Sequence, residues 1–363
     1  MTPNLRVGIF ALIFTLCLVV SVGYVWIRAR QVASNGARLE TPASTIMPTE
    51  MTGAVPKKGG GDALTAGELV GSRGVLPESS FVMFRTTVLD SHYGQLATVS
   101  LDDPSRPRAP IGLSCERAYF ADGYGVCLTA DRGAITTYHA FIFDGSLQPR
   151  QSLIPLRGIP SRARVSPDGR YAAITVFVSG HSYTPGSFST RVEIYRTADG
   201  SMIAELEQFT VERDGKPFRD IDFNFWGVTF AGDGNRFYAT LGTGGQNYLI
   251  EGDLAARHAR VIHAGVECPS LSPDGQRVAF KRLTKSGWHI YVLDLRTGAE
   301  TPLTETRSVD DQVEWLDDDR VLYAFDDDIW VAPVAGGGAP AVFLANAYSP
   351  AVVRQTPRRE ISR

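Results

Sequence analysis

Leu271-Ser272-Pro273-Asp274-Gly275-Gln276-Arg277-Val278-Ala279-Phe280, followed shortly by Ile290-Tyr291-Val292-Leu293, decides how this chain folds. The turn chemistry is explicit. Pro presets φ, Asp bonds its own backbone two residues on, and Gly accepts a positive φ, so the chain reverses tightly at Asp274-Gly275. What flanks the turn is β-forming. An apolar position precedes it, an apolar run follows, and the next segment is aromatic and β-branched. Thr297-Gly298 then reverses the chain again into a short outer strand, Glu300-Thr301-Pro302-Leu303.

The same unit returns along the chain. Turns stand at Phe120-Ala121-Asp122-Gly123, Ser166-Pro167-Asp168-Gly169 and Ala231-Gly232-Asp233-Gly234, with a degenerate copy at Leu316-Asp317-Asp318-Asp319. Aligned on Asp122, Asp168, Asp233, Asp274 and Asp318, the spacings are 46, 65, 41 and 44. Four strands in such a span make a β-propeller blade. No segment after the first 27 residues holds a 3.6-residue apolar period for three turns, which excludes a helical repeat. Phe81-Val82-Met83-Phe84 and Gln95 to Leu101 supply a further set of strands without an innermost member, and Ser349 to Arg354 offers the missing one. The expected fold is therefore all-β, a six-bladed propeller closed by its C-terminal strand, which leaves no open edge.

Ser-Pro-Asp-Gly-x-x-Val-Ala-Phe with Ile-Tyr-Val-Leu-Asp-Leu behind it resembles the WD-related repeats of the TolB-type propeller. Residues 271–295 match that pattern most fully and 165–195 match it well. TolB carries an α/β domain ahead of its propeller and works with outer-membrane lipoproteins. Here an apolar segment and a linker stand in that place, so the chain is more similar to the membrane-anchored TolB-like proteins of high-GC Gram-positive bacteria. The resemblance implies export; its motifs are specific for architecture and unspecific for function.

Ahead of the repeats, a short tail (1–6) leads into 21 residues without a charge, Val7 to Ile27. As a helix they span about 30 Å, the hydrocarbon thickness of a bilayer, with Tyr24 and Trp26 at one end. This reads as an uncleaved signal-anchor. Residues 28–75 lack Phe, Tyr and Trp and carry Pro42, Pro48, Pro56 and Lys57-Lys58-Gly59-Gly60-Gly61, the composition of a disordered linker. The propeller is expected over 76–355, with a tail at 356–363. Arg28, Arg30 and Arg38 after the helix favour a cytoplasmic domain, but long domains translocate regardless of flanking charge. The expected location is the cytoplasmic membrane, single-pass, with an extracytoplasmic and monomeric propeller.

A net charge of −3 does not suit a nucleic-acid binder. Gly180-His181-Ser182-Tyr183-Thr184 lacks the second Gly of a hydrolase elbow. Ser166-Pro167-Asp168-Gly169-Arg170-Tyr171 has the Gly of a sialidase box one position early and no Trp. Asp317 to Asp319 and Asp326 to Asp328 read as solvated tips, and His258 and His263 are poorly spaced for zinc. No catalytic, cofactor or metal residue is expected. The reading is a non-enzymatic, membrane-tethered scaffold that binds a protein or a cell-envelope component; the alternative is a propeller enzyme or a sugar- or cofactor-binding protein whose site is assembled from loops of several blades.

Two sites follow. The third unit exceeds the others by about 20 residues, and its aromatics Tyr183, Phe188, Phe218 and Phe223 are candidate partner contacts, since recognition loops ride on rigid scaffolds. Cys115 and Cys127 flank the Asp122-Gly123 turn with their midpoint at residue 121, so a hairpin centred there makes them cross-strand neighbours able to form a disulfide. Cys268 sits in the opposed blade and Cys17 in the anchor.

Overall fold

A computed structural model describes residues 74–178 and 189–355. The anchor at 7–27, nearly all of the linker and the tail at 356–363 lie outside the described residues. Among the described residues the only helical element is a 3-10 turn, Leu206–Gln208, and no helix is long and apolar enough to cross a membrane.

Six sheets, antiparallel but for one added pairing in the fourth, follow one another around a ring. The first blade comprises Phe81–Thr86, Gln95–Ser100 and Ala109–Ser114, with Ala347–Val353 from the chain's end as innermost strand. Val352 pairs with Val82 and Val353 with Phe81, so the ring closes by backbone hydrogen bonds between its two ends. The innermost strands of the second to sixth blades are Arg117–Ala121, Ile159–Val165, Asn224–Phe230, Glu267–Leu271 and Glu314–Trp315.

Each blade is buried on both sides, which is why its middle strands read as unbroken apolar runs rather than as a clean alternation. The period of two is still at work. Val321 and Tyr323 pack toward the fifth blade, whereas Leu322 packs toward the first. Ala172 and Ile174 meet the second blade, and Ala173 between them meets the fourth. The described core is thus a set of apolar clusters, one at each blade junction. Glycine enters this packing where a ring needs room. Gly125 pairs with Phe143 and Gly252 with Phe237, and a Cβ on either glycine would lie 2.1 Å from the ring of its partner.

The long third unit is not a long third blade. After its outer strand Met202–Glu205, the chain crosses to the fourth blade, where Thr210–Arg213 pairs in parallel with the outer strand His258–Ala264. Lys216–Phe218 then folds back on Thr210–Arg213 through Asp214-Gly215, both at positive φ. The fourth sheet therefore has six strands. Part of the excess assigned to the third unit belongs to its neighbour.

Candidate functional site

The repeated turns all join a first to a second strand, so they gather on one face of the ring, the turn face. Connections between second and third strands, and those entering each first strand, gather on the other, the loop face.

On the turn face, four of the acidic tips are answered locally. Asp168 pairs with Arg170, Asp233 with Arg236, Asp274 with Arg277 and Asp317 with Arg320. Burial alone would raise the Asp233 carboxyl, but hydrogen bonds from Arg236 and the Asn235 backbone outweigh it and hold the pKa at about 2. Neighbouring turns are also tied together. Arg170 donates to Gly234 O at 3.3 Å, the Asp274 N–H to Asp318 Oδ1 at 3.1 Å, and Arg277 to Asp318 O at 2.6 Å. These aspartates brace the ring. Among the described residues no group of three or more His, Cys, Asp and Glu is placed to hold a metal ion.

Innermost strands of all six blades line the central channel. At the turn end it opens as a bowl of about 310 Å³. Its floor is a buried brace. Arg164 pairs with Glu314, donates to Val313 O at 2.8 Å and Ser270 Oγ at 3.3 Å, and lies 4.6 Å above the Tyr119 ring. Glu314 also accepts from Tyr119 Oη at 2.9 Å and from the Val352 N–H at 3.1 Å. Burial, then the Glu314 carboxylate, pushes the Tyr119 phenol well above its ordinary pKa. Tyr119 is a donor fixed in place, not a base. The loop end narrows to a well of about 20 Å³ beside Arg117, Arg162 and Asp311.

The loop face carries the exposed apolar side chains. Of ten large ones among the described residues, seven lie here, including Leu89 (90% exposed), Ile135 (81%), Ile221 (79%) and Leu283 (60%). The other three are Val75, ahead of the first strand, and Met202 and Val342 on outer strands. The seven on the loop face stand on connections and strand ends of the first five blades.

Of the sequence-derived contacts, Tyr183 and Phe188 lie outside the described residues. Phe218 and Phe223 are half-buried and pack inward. Their centroids are 5.1 Å apart, and Tyr248 and Phe225 stand behind them. These rings hold the added hairpin onto the fourth blade. Cys115 and Cys127 are joined, with Cα atoms 5.5 Å apart, although the expected register is wrong. Asp122 and Gly123 form a two-residue turn at positive φ, so Ala121 pairs with Tyr124 and Cys127 with Ala118. Cys115 lies just ahead of that strand, in the link from the first blade. Cys268 is a buried free thiol.

No family model matches this sequence, and no curated protein matches it. The fold does have solved counterparts. TolB from Acinetobacter baumannii aligns over 75% of this chain and 66% of its own, at 15% identity and a TM-score of 0.50. The fold is a TolB-like six-bladed propeller. A chain from a nidogen–laminin complex reaches a TM-score of 0.54 at 10% identity, covering 76% of this chain and 99% of that one. Oligogalacturonate lyase in complex with manganese gives 0.45 at 12% identity, over 66% and 71% of the two chains, too loose a likeness to carry chemistry. The TolB-like propeller here spans just under two thirds of the length of that TolB.

Proposed function

We propose that the TolB-like propeller is a non-enzymatic scaffold, tethered at the outer side of the cytoplasmic membrane by residues 7–27, which binds a protein or envelope component through its loop face. The carrying observation is the concentration of exposed apolar side chains on that face. The channel adds support from the other direction. A catalytic concavity needs polar groups with capacity left for substrate, whereas Arg164, Glu314 and Tyr119 are occupied with one another. A chain of similar fold also occurs within the nidogen–laminin complex.

The test is proximity labelling from the tethered propeller in intact cells, comparing the native chain with L89S/I135S/L283S. Those side chains touch the core little, so the variant should melt as the native protein does and lose its specifically labelled neighbours. An unchanged labelled set overturns the loop-face assignment. Protease added to wall-stripped cells reports orientation. Release of the propeller by cleavage within 31–75 supports an external domain, and protection until detergent is added reverses it.

A further inference from the structure

Two arginines on one strand are treated very differently. Arg162 and Arg164 belong to Ile159–Val165, two residues apart, so both point from the same strand face into the channel. The Nη atoms of Arg164 meet Glu314, Val313 O and Ser270. Arg162 has no such set. Its Nη1 donates only to the adjacent Ser161 O at 2.9 Å, and its ion-pair partner Asp311 stands 4.0 Å away; the Nε of both arginines is buried without a hydrogen-bond partner, so the difference lies in the Nη atoms alone. Asp311 is partly committed elsewhere, accepting the Ala324 N–H at 3.0 Å. The side chain of Arg162 is only 14% exposed.

Arg117, at the start of the neighbouring innermost strand in the second blade, shares the well. It lies 4.4 Å over the Tyr348 ring and has no ion-pair partner among the described residues. Lys281, the remaining nearby cation, is already engaged by Asp310 and stacks on Trp288 at 4.1 Å. Two guanidinium groups therefore face one partly committed carboxylate. A charge withdrawn from water without a fitted counter-ion is costly, and an under-satisfied buried group calls for a reason. The planar donor fork of arginine matches an oxyanion, and the small well admits only a small one, as the carboxylate of a protein partner is.

We propose that Arg117 and Arg162 form a receptor for one carboxylate at the loop-face mouth of the channel, supplied by an acidic side chain or chain end of the partner. Only the source of the anion rests on the reading of the loop face as the docking surface; the well can be tested without a partner.

The experiment titrates acetate, and separately inorganic phosphate, into the native full-length protein at constant ionic strength, following melting temperature. Acetate should stabilise saturably, and R162M and R117M should each weaken its apparent affinity at least tenfold. R170Q, which alters a paired arginine on the turn face, should leave it unchanged. R162M supplies a second readout, because a cation held only at 4.0 Å from Asp311 contributes little to the ligand-free fold, so its melting temperature should fall far less than that of E314A, which strips Arg164 of a close partner. A marked fall instead makes Arg162 a structural partner of Asp311 and overturns the proposal. No saturable acetate effect, or one that survives both variants, overturns the site. Phosphate binding as tightly as acetate overturns the assignment to carboxylate. If the well binds acetate while L89S/I135S/L283S leaves cellular neighbours unchanged, the receptor stands and the loop-face reading fails.

Discussion

The turn face and the loop face are built from the same strands, yet one settles its own chemistry and the other leaves it open. On the turn face aspartates meet arginines two or three residues away, and neighbouring turns are hydrogen-bonded around the ring. On the loop face, isoleucine and leucine tips stand in water and two guanidinium groups lack fitted partners. Repetition explains the first face, since one four-residue motif solves the same turn in several blades. The second has no repeat to obey, and its connections differ from blade to blade. On the proposed reading, the turn face braces the ring and the loop face is left for recognition.

The sharpest way to break that comparison is at the brace between the two ends of the channel. Glu314→Ala leaves Arg164 as an uncompensated buried charge and should cost about 3–5 kcal/mol in denaturant unfolding, the usual penalty for removing one partner of a buried pair. If E314A and R162M destabilise alike, the two arginines are not different and the contrast collapses. The disulfide comes next. C115A/C127A should lose about 3 kcal/mol in the chain-entropy account of so short a loop. Such bonds persist in oxidising compartments, so a purified native protein whose two thiols both alkylate without reductant would count against the proposed external location.

Acid should act at a buried carboxyl of the loop-face connection. Burial of Glu305 would raise its pKa, but Arg307 and the Tyr323 hydroxyl outweigh that and hold it at about 2. The folded value lies below an unfolded value of roughly 4.3. Its contribution is therefore complete above the unfolded pKa and is lost as pH falls from about 4.5 toward 2. Unfolding measured across that window should lose stability more steeply in the native protein than in E305Q; equal slopes would show that Glu305 is not linked to folding.

A smaller effect separates two turns of the same motif. Gly169 and Gly275 both sit near φ +70°, but a Cβ at Gly169 would lie 2.6 Å from Asp122 O, whereas one at Gly275 meets nothing within 4 Å. G275A should cost about 1 kcal/mol for the left-handed backbone alone, and G169A distinctly more. Equal melting temperatures would mean that the contact between the second and third blades carries little.

Much of the fold was legible in the sequence because the turns are local events. Ser-Pro-Asp-Gly needs no distant residue to reverse the chain, and counting its copies gave the blades. The added hairpin on the fourth blade was not, because Val211 and Ala259 pair in parallel across 48 positions and parallel pairing leaves no local signature. The cysteine pair could be named but its register could not. Placing the hairpin's centre one and a half residues too early puts Cys115 on a strand that begins only at Arg117. The channel charges were missed altogether. Arg162 and Arg164 alternate just ahead of the Ser166-Pro167-Asp168-Gly169 turn, and that was the available clue. Their partners at positions 119, 270, 311 and 314 come together only once the ring has closed.

Site-specific photocrosslinking in intact cells tests the division of labour most directly. A photoreactive residue replaces Ile135 or Leu283 on the loop face, or exposed Gln276 on a turn. The account predicts a discrete adduct from both loop-face positions and none from position 276. An adduct from position 276 with none from 135 or 283 would place recognition on the braced face and contradict it.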